Sequence, residues 1–226
     1  MAENFKLVQR LDLIHEVALG KSVLHLGCAN YPYTEQSIKD GMLLHFSLGG
    51  VAAELYGLDF DEPGIEILKA HGAENIFWAD LENLDDLKID RTFDIIIAGE
   101  MIEHLNNPGL FFNGIRRFMN AESKLVLTTI NAYGAVRFIL YGLRGKRGEN
   151  EFVHPDHVAY YSYSTLKLLV ERHRMQVEQF LFYDIGKEHR IHNRWFVNLF
   201  NDVSVSLAPQ WADGVIAVCE LADQKV

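Results

Sequence analysis

The stretch Val23-Leu24-His25-Leu26-Gly27-Cys28-Ala29-Asn30 constrains this chain more than any other. A short apolar run enters a glycine, two small residues follow, and a polar residue closes the turn. That pattern reads as a buried strand ending in a tight turn. Glycine admits a sharp backbone bend, and small neighbours let a ligand lie against the main chain. Followed by a helix, such a strand opens a doubly wound sheet, whose ligands sit outside the carboxyl ends of the strands at the switch point.

The rest of the chain keeps that rhythm. Residues 3–19 carry Leu7, Leu11, Ile14 and Val17 at helical spacing, which predicts an N-terminal helix within residues 1–20 that stops at Gly20. A helical stretch over 35–55 leads to a second strand, Leu55–Leu58, ending in Asp59. Asp61-Glu62-Pro63 then opens a helix with a capping oxygen, an acid and a proline in its first turn. A third strand, 75–79, ends in Asp80, and Phe93–Ala98 is continuously apolar, as in the buried middle of a parallel sheet. A helix over 107–120, a strand over 125–129, a helix capped by Ser164, and closing strands over 177–183 and 215–221 complete the pattern. Strands alternating with helices in this way predict an α/β fold with a mostly parallel sheet. Two intervals break the rhythm. Residues 130–163, rich in Gly, Tyr and basic residues, read as a cap that carries substrate contacts, and 186–214 form a second excursion.

Length and charge narrow the partners. A chain of 226 residues is expected to form one domain over 1–226. A formal net charge of -10 argues against a nucleic-acid groove, which needs Lys and Arg along one face. Two distant cysteines, Cys28 and Cys219, argue against a disulfide scaffold or a cysteine-based zinc site and for a reducing compartment. No apolar run approaches the roughly 18 residues of a membrane span, and MAENFKLVQR is not signal-like. The expectation is therefore a cytoplasmic monomer or homodimer, with no membrane or nucleic-acid partner.

The strand ends present a set of groups on one edge of the sheet. Gly27 makes the turn, and Asp59 closes the second strand, where a carboxylate can accept both hydroxyls of a ribose. Asp80 closes the third strand, where it can accept from an exocyclic amine, and Gly99-Glu100 ends the fourth beside the same crevice. The set suits an adenosine-bearing ligand without a pyrophosphate.

At these residues the sequence resembles the class I S-adenosylmethionine-dependent methyltransferases. VLHLGCAN resembles the first motif, GLDFD the second, WADLENL the third, FDIIIAGEMIEHL the fourth and LVLTTIN the fifth, while HVAYYSYSTLKLLVERHRM resembles the segment after the substrate excursion. The resemblance runs from Val23 to Leu221. It implies a Rossmann-like fold of seven strands with an antiparallel closing strand, and S-adenosylmethionine as cofactor with S-adenosylhomocysteine as product. It implies a cofactor site of His25, Gly27, Cys28, Ala29, Asp59, Phe60, Asp80, Leu81, Gly99 and Glu100. Two residues depart from the pattern: His25 stands where the family has an acid, and Ala29 where a second glycine is usual.

The implied reaction is methyl transfer to oxygen or nitrogen of a small, polar, anionic metabolite or sugar. His104, His154 and His157 are the candidate bases, since imidazole titrates near neutrality. Arg137, Arg144, Lys146 and Arg147 form a basic cluster inside the cap, and a guanidinium can clamp a carboxylate or phosphate. Arg137, Arg144, Arg147 and Tyr160 are therefore the candidate acceptor contacts, and no metal is expected. Two alternatives stay open: a methyltransferase-derived protein that binds without turnover, and a nicotinamide oxidoreductase. The second needs a third glycine that this turn lacks.

Overall fold

The computed structural model describes residues 6–139, 156–186, 190–191 and 193–222. Strand β2 (Ser22–Leu26) lies between two parallel neighbours, β3 (Glu54–Asp59) and β5 (Ile95–Gly99), and is buried from Val23 onward because both faces of the sheet are covered there. Around it, β1 (Lys6–Val8), β4 (Ile76–Trp78), β6 (Lys124–Ile130), β7 (Met175–Tyr183) and β8 (Gly214–Leu221) complete one eight-stranded sheet. The order is β1-β7-β8-β6-β5-β2-β3-β4, and β8 alone runs against its neighbours β6 and β7. The strand order reverses at β2. The crevice outside the carboxyl ends of β2 and β5 is therefore the switch point where such sheets hold ligands.

Side-chain alternation sends two cores to opposite faces. Leu24, Leu26, Ile96, Ala98, Leu125 and Leu127 pack with Phe111, Phe112, Leu166 and Val170, from helices α5 (Pro108–Ile115) and α6 (Tyr163–Arg172). Val23, Ile95, Ile97 and Val126 pack with Ile14, Ala18 and Leu48, from α1 (Arg10–Ala18) and α3 (Leu44–Gly49). Helix α4 (Glu62–Ala70) follows β3 and buries Ile65 and Leu68 against Cys28 and Ile76.

Several local expectations are corrected. The sheet has eight strands rather than seven, because residues 6–8 of the expected N-terminal helix instead pair in parallel with Leu181–Tyr183. A pairing partner more than 170 residues away overrides local helical spacing. The helical stretch expected over 35–55 is two short helices, α2 (Thr34–Lys39) and α3, separated at Gly41 and ended at Gly49-Gly50. Ser162 rather than Ser164 caps α6, exchanging hydrogen bonds with Thr165 in a capping box. Asp61 precedes α4 but its side chain caps nothing. The 186–214 excursion contains a helix, α7 (Trp195–Leu207).

Candidate functional site

Gly27 sits at φ +68°, the left-handed conformation that the turn demands and that favours glycine. A Cβ there would meet Met101 Cβ at 3.7 Å, an ordinary van der Waals contact, so backbone conformation rather than lack of space selects glycine. The amides of the turn are committed internally. Gly27 and Cys28 donate to the carbonyl of Leu58, Ala29 donates to Asp59 Oδ2 at 2.7 Å, and Asn30 donates to the Thr34 hydroxyl. With these N–H groups engaged, the turn is not a phosphate cradle. That counts against a dinucleotide.

Asp59 locks the end of β3 to this turn. Its other oxygen, Oδ1, accepts the Asp61 N–H at 2.9 Å. Burial pushes its carboxyl up, and the two amides only partly oppose that shift. A carboxylate has about four lone-pair positions, so each oxygen keeps capacity for one hydroxyl. Close packing supports the arrangement: a Cβ at Gly64 would lie 2.3 Å from Asp61 Oδ2 and 2.8 Å from Ala29 Cβ. Beside Asp59, the exposed rings of Phe60 and Trp78 lie 5.4 Å apart, and Trp78 Nε1 donates to the Phe60 carbonyl. Asp80 accepts the Glu82 N–H in a local turn, with Leu81 half-buried next to it. Acceptors on two adjacent strand ends, an apolar flank and the left-handed Gly27 turn fit an adenosine-bearing molecule.

His25 and Cys28 lie deeper than their neighbours. His25 is buried, its ring stacked on His45 of α3 at 5.5 Å, with the two Nδ1 atoms 3.2 Å apart. Burial pushes both imidazoles down, His45 to about 4. Burial also pushes the Cys28 thiol up, which makes it unreactive.

The end of β5 carries more chemistry than its sequence advertised. Glu100 follows Gly99 at φ +54° and accepts the hydroxyl of buried Tyr183. Arg10 stands over the Tyr183 ring at 5.9 Å, and its Nη1 lies 3.6 Å from where a Cβ on Gly99 would be. Arg10 and Tyr183 carry no local motif, since they reach the site only through the pairing of β1 with β7 and the start of α1. Glu103 is fully buried in the next turn. Its Oε2 accepts the Thr129 hydroxyl at 2.8 Å, while Oε1 has no hydrogen-bond partner. Burial, and then the charge of Glu100, pushes its carboxyl up.

His104 and His157 meet beside it, edge to face, with ring centroids 4.7 Å apart. His104 Nδ1 lies 3.1 Å from the Asp156 carbonyl. The Glu103 carbonyl accepts the N–H groups of Val158 and Ala159, which ties the two segments together. One ligand atom each from Glu103, His104 and His157 lies within 4.8 Å of the others, a set able to hold a metal ion. Tyr160 faces the His157 ring at 6.3 Å. Arg137 forms an ion pair with Asp213 at 3.1 Å. Arg144, Lys146, Arg147 and His154 lie outside the described residues, as does the middle of the expected cap. Among the described residues, no helix is long and apolar enough to cross a membrane.

Comparison with known proteins gives the family and the fold. The family described as Methyltransferase domain matches residues 3–179. The ubiquinone biosynthesis O-methyltransferase of Xanthomonas oryzae pv. oryzae (strain PXO99A) is 28% identical over 126 residues, 54% of this chain and 46% of that protein. The protein of the same name from Hahella chejuensis (strain KCTC 2396) is 27% identical over 166 residues, 66% of this chain and 65% of that one. The chain thus spans about half the length of the first of these relatives. A S-adenosylmethionine-dependent methyltransferase structure from Archaeoglobus fulgidus superposes with a TM-score of 0.57 at 16% identity, covering 93% of this chain and 94% of that one. At that identity the likeness is one of fold.

Proposed function

Because this chain belongs to the methyltransferase-domain family, we propose that it transfers a methyl group from S-adenosylmethionine to an oxygen of a small acceptor. The observation that carries the proposal is Asp59, held by Ala29 and Asp61 at the strand end next to the Gly27 turn. In this assignment Asp59 receives the ribose hydroxyls and Asp80 the adenine amine, with Phe60, Leu81 and Trp78 flanking the base. Arg10 and Glu100 bring opposite charges to the end of β5 and match the zwitterionic end of the cofactor. The cofactor supplies an electrophilic methyl group on a sulfonium. The chain's own task is to align the acceptor with that methyl and to exclude water.

A hydroxyl acceptor must lose a proton as its oxygen attacks. The contact between His104 Nδ1 and the Asp156 carbonyl puts the ring hydrogen on Nδ1, so Nε2 carries the lone pair that could take that proton. Oxygen is favoured over nitrogen as the methylated atom because the named relatives are O-methyltransferases. The anionic acceptor expected from the basic cluster has weaker support, since Asp213 already neutralises Arg137.

Release of S-adenosylhomocysteine in a screen of phenolic, sugar and carboxylated acceptors tests the proposal. Turnover with a hydroxyl acceptor supports it. Tight cofactor binding without turnover on any acceptor would favour the non-catalytic alternative, toward which the engagement of His25 by His45 points.

A further inference from the structure

Helix α7 turns its apolar side to solvent. Its buried positions are Asn201, Ser204 and Val205, two of them polar. Its exposed positions include Trp195, Phe196, Leu199, Phe200, Val203 and Leu207, with Trp195 and Leu207 each 75% exposed. A surface helix ordinarily sends its apolar stripe to the core and its polar stripe to water. Here the two are exchanged. The polar inner side is fully used. Asn201 Nδ2 donates to Asp184 Oδ1 at 2.7 Å, and Arg190 Nη2 bridges Asp184 Oδ2 at 2.7 Å and Asp202 Oδ1 at 2.6 Å. Asp184 is buried and directly follows β7, so charge-assisted hydrogen bonds clamp the helix to the sheet. Beyond the helix, Asn131 donates to the carbonyls of Gln210 and Ala212 at 2.8 Å. The outward face is therefore held in one orientation before any partner arrives.

The size of that face decides what it fits. At about 150–200 Å² for each side chain, the six exposed fractions leave roughly 500–700 Å² of apolar surface uncovered. Ile191 and Trp211, exposed just before and just after the helix, bring the total to roughly 700–900 Å². The largest apolar patch on an ordinary monomer covers about 300–600 Å². A stable protein interface takes about 800 Å² from each partner.

We propose that this face is the interface of a homodimer, in which α7 packs against α7 of a second copy about a twofold axis. Trp195, Leu199, Val203 and Leu207 are spaced by four and form one ridge along the helix. The ridge seats on its own copy run antiparallel, with Trp195 facing the partner's Leu207 and Leu199 facing the partner's Val203. A twofold contact requires a surface that complements itself, and a single ridge on one helix supplies it. A lipid surface is a poorer match. Helices that lie on membranes carry Lys and Arg along the polar side, whereas α7 has neither and carries Asp202, in a chain of net charge -10. The contact does not depend on methyl transfer.

Analytical ultracentrifugation of the full chain across micromolar concentrations should show a reversible dimer. Leu199→Asp puts a charge at the centre of the contact and should raise the dissociation constant by at least about tenfold. Leu199 is exposed in the single chain, so the variant should fold, and circular dichroism checks that it does. A second variant keeps the face neutral. Leu199→Cys combined with Val203→Cys should cross-link two copies on mild oxidation, whereas Glu66→Cys on α4 should not. The native thiols, Cys28 and Cys219, are buried and do not compete. A monomer at every concentration, a dimer unchanged by the folded Leu199→Asp variant, or paired cysteines that cross-link no more than Glu66→Cys would overturn the interface. Flotation of a monomeric chain with phosphatidylglycerol vesicles would also overturn it, and would assign the face to a lipid surface.

Discussion

Replacing Asp59 by asparagine keeps the side-chain shape and removes its charge. In the native protein Oδ2 accepts the Ala29 N–H at 2.7 Å and Oδ1 accepts the Asp61 N–H at 2.9 Å. Asparagine can serve only one of these, and its amide NH₂ would face the other N–H. A hydrogen bond to a charged group contributes about 1.5–3 kcal/mol, and a stranded donor costs a similar amount. These overlap rather than add. Burial also raises the Asp59 carboxyl against the pull of both amides, so desolvation outweighs them and a neutral side chain recovers part of that cost. The expected loss in unfolding free energy is therefore about 1–2 kcal/mol in urea titration. On the proposed assignment of Asp59 to the ribose, affinity for S-adenosylhomocysteine should fall further, by about 10–100-fold, because that acceptor is lost and the Ala29 turn is released. Asp80→Asn, which touches only the Glu82 amide, should leave the glycine turn intact and cost less stability. Stability and affinity both unchanged in Asp59→Asn would refute the role of this carboxylate.

Gly64→Ala should lower stability by about 1–3 kcal/mol and weaken cofactor binding in calorimetry, because Ala29 Cβ would lie 2.8 Å from the new methyl and cannot swing aside. Tyr183→Phe removes the hydroxyl that Glu100 accepts and should cost about 1.5–3 kcal/mol in urea unfolding. Acid should destabilise the fold through His45, whose imidazole is pushed from 6.5 down to about 4 by burial. A depressed imidazole means the unfolded chain binds the proton first, so its stability is present above pH 6.5 and is lost as pH falls toward 4, by roughly 3 kcal/mol. Thermal melts of His45→Leu at pH 7, 5 and 4 should show a smaller acid-side drop than the native chain.

The parts of the site that were legible in the sequence are those made by neighbours in the chain. Gly27, Asp59, Asp80 and Glu100 each end a strand, and an apolar run followed by a turn residue marks a strand end. What stayed hidden depends on residues brought together from far apart. The strand Lys6–Val8 exists because β7 offers it an edge, so a three-residue pattern alone could not distinguish it from the start of a helix. Tyr183 reaches Glu100, and Arg10 reaches the Tyr183 ring, by the same pairing. His25 occupies the position of a family acid, yet its partner is His45, a residue that lies within a stretch read as one long helix. Glu103 was visible only as the neighbour of His104, because neither its burial nor its bare oxygen is written in local spacing.

A crystal structure of the chain soaked with S-adenosylhomocysteine tests the central claim most directly. The ribose hydroxyls are expected on Asp59, the adenine beside Asp80 and the Phe60–Trp78 rings, and the amino-acid end between Gly27, Glu100 and Arg10. A saturated crystal with the ligand bound away from the carboxyl ends of β2, β3 and β5, or not bound at all, would contradict it.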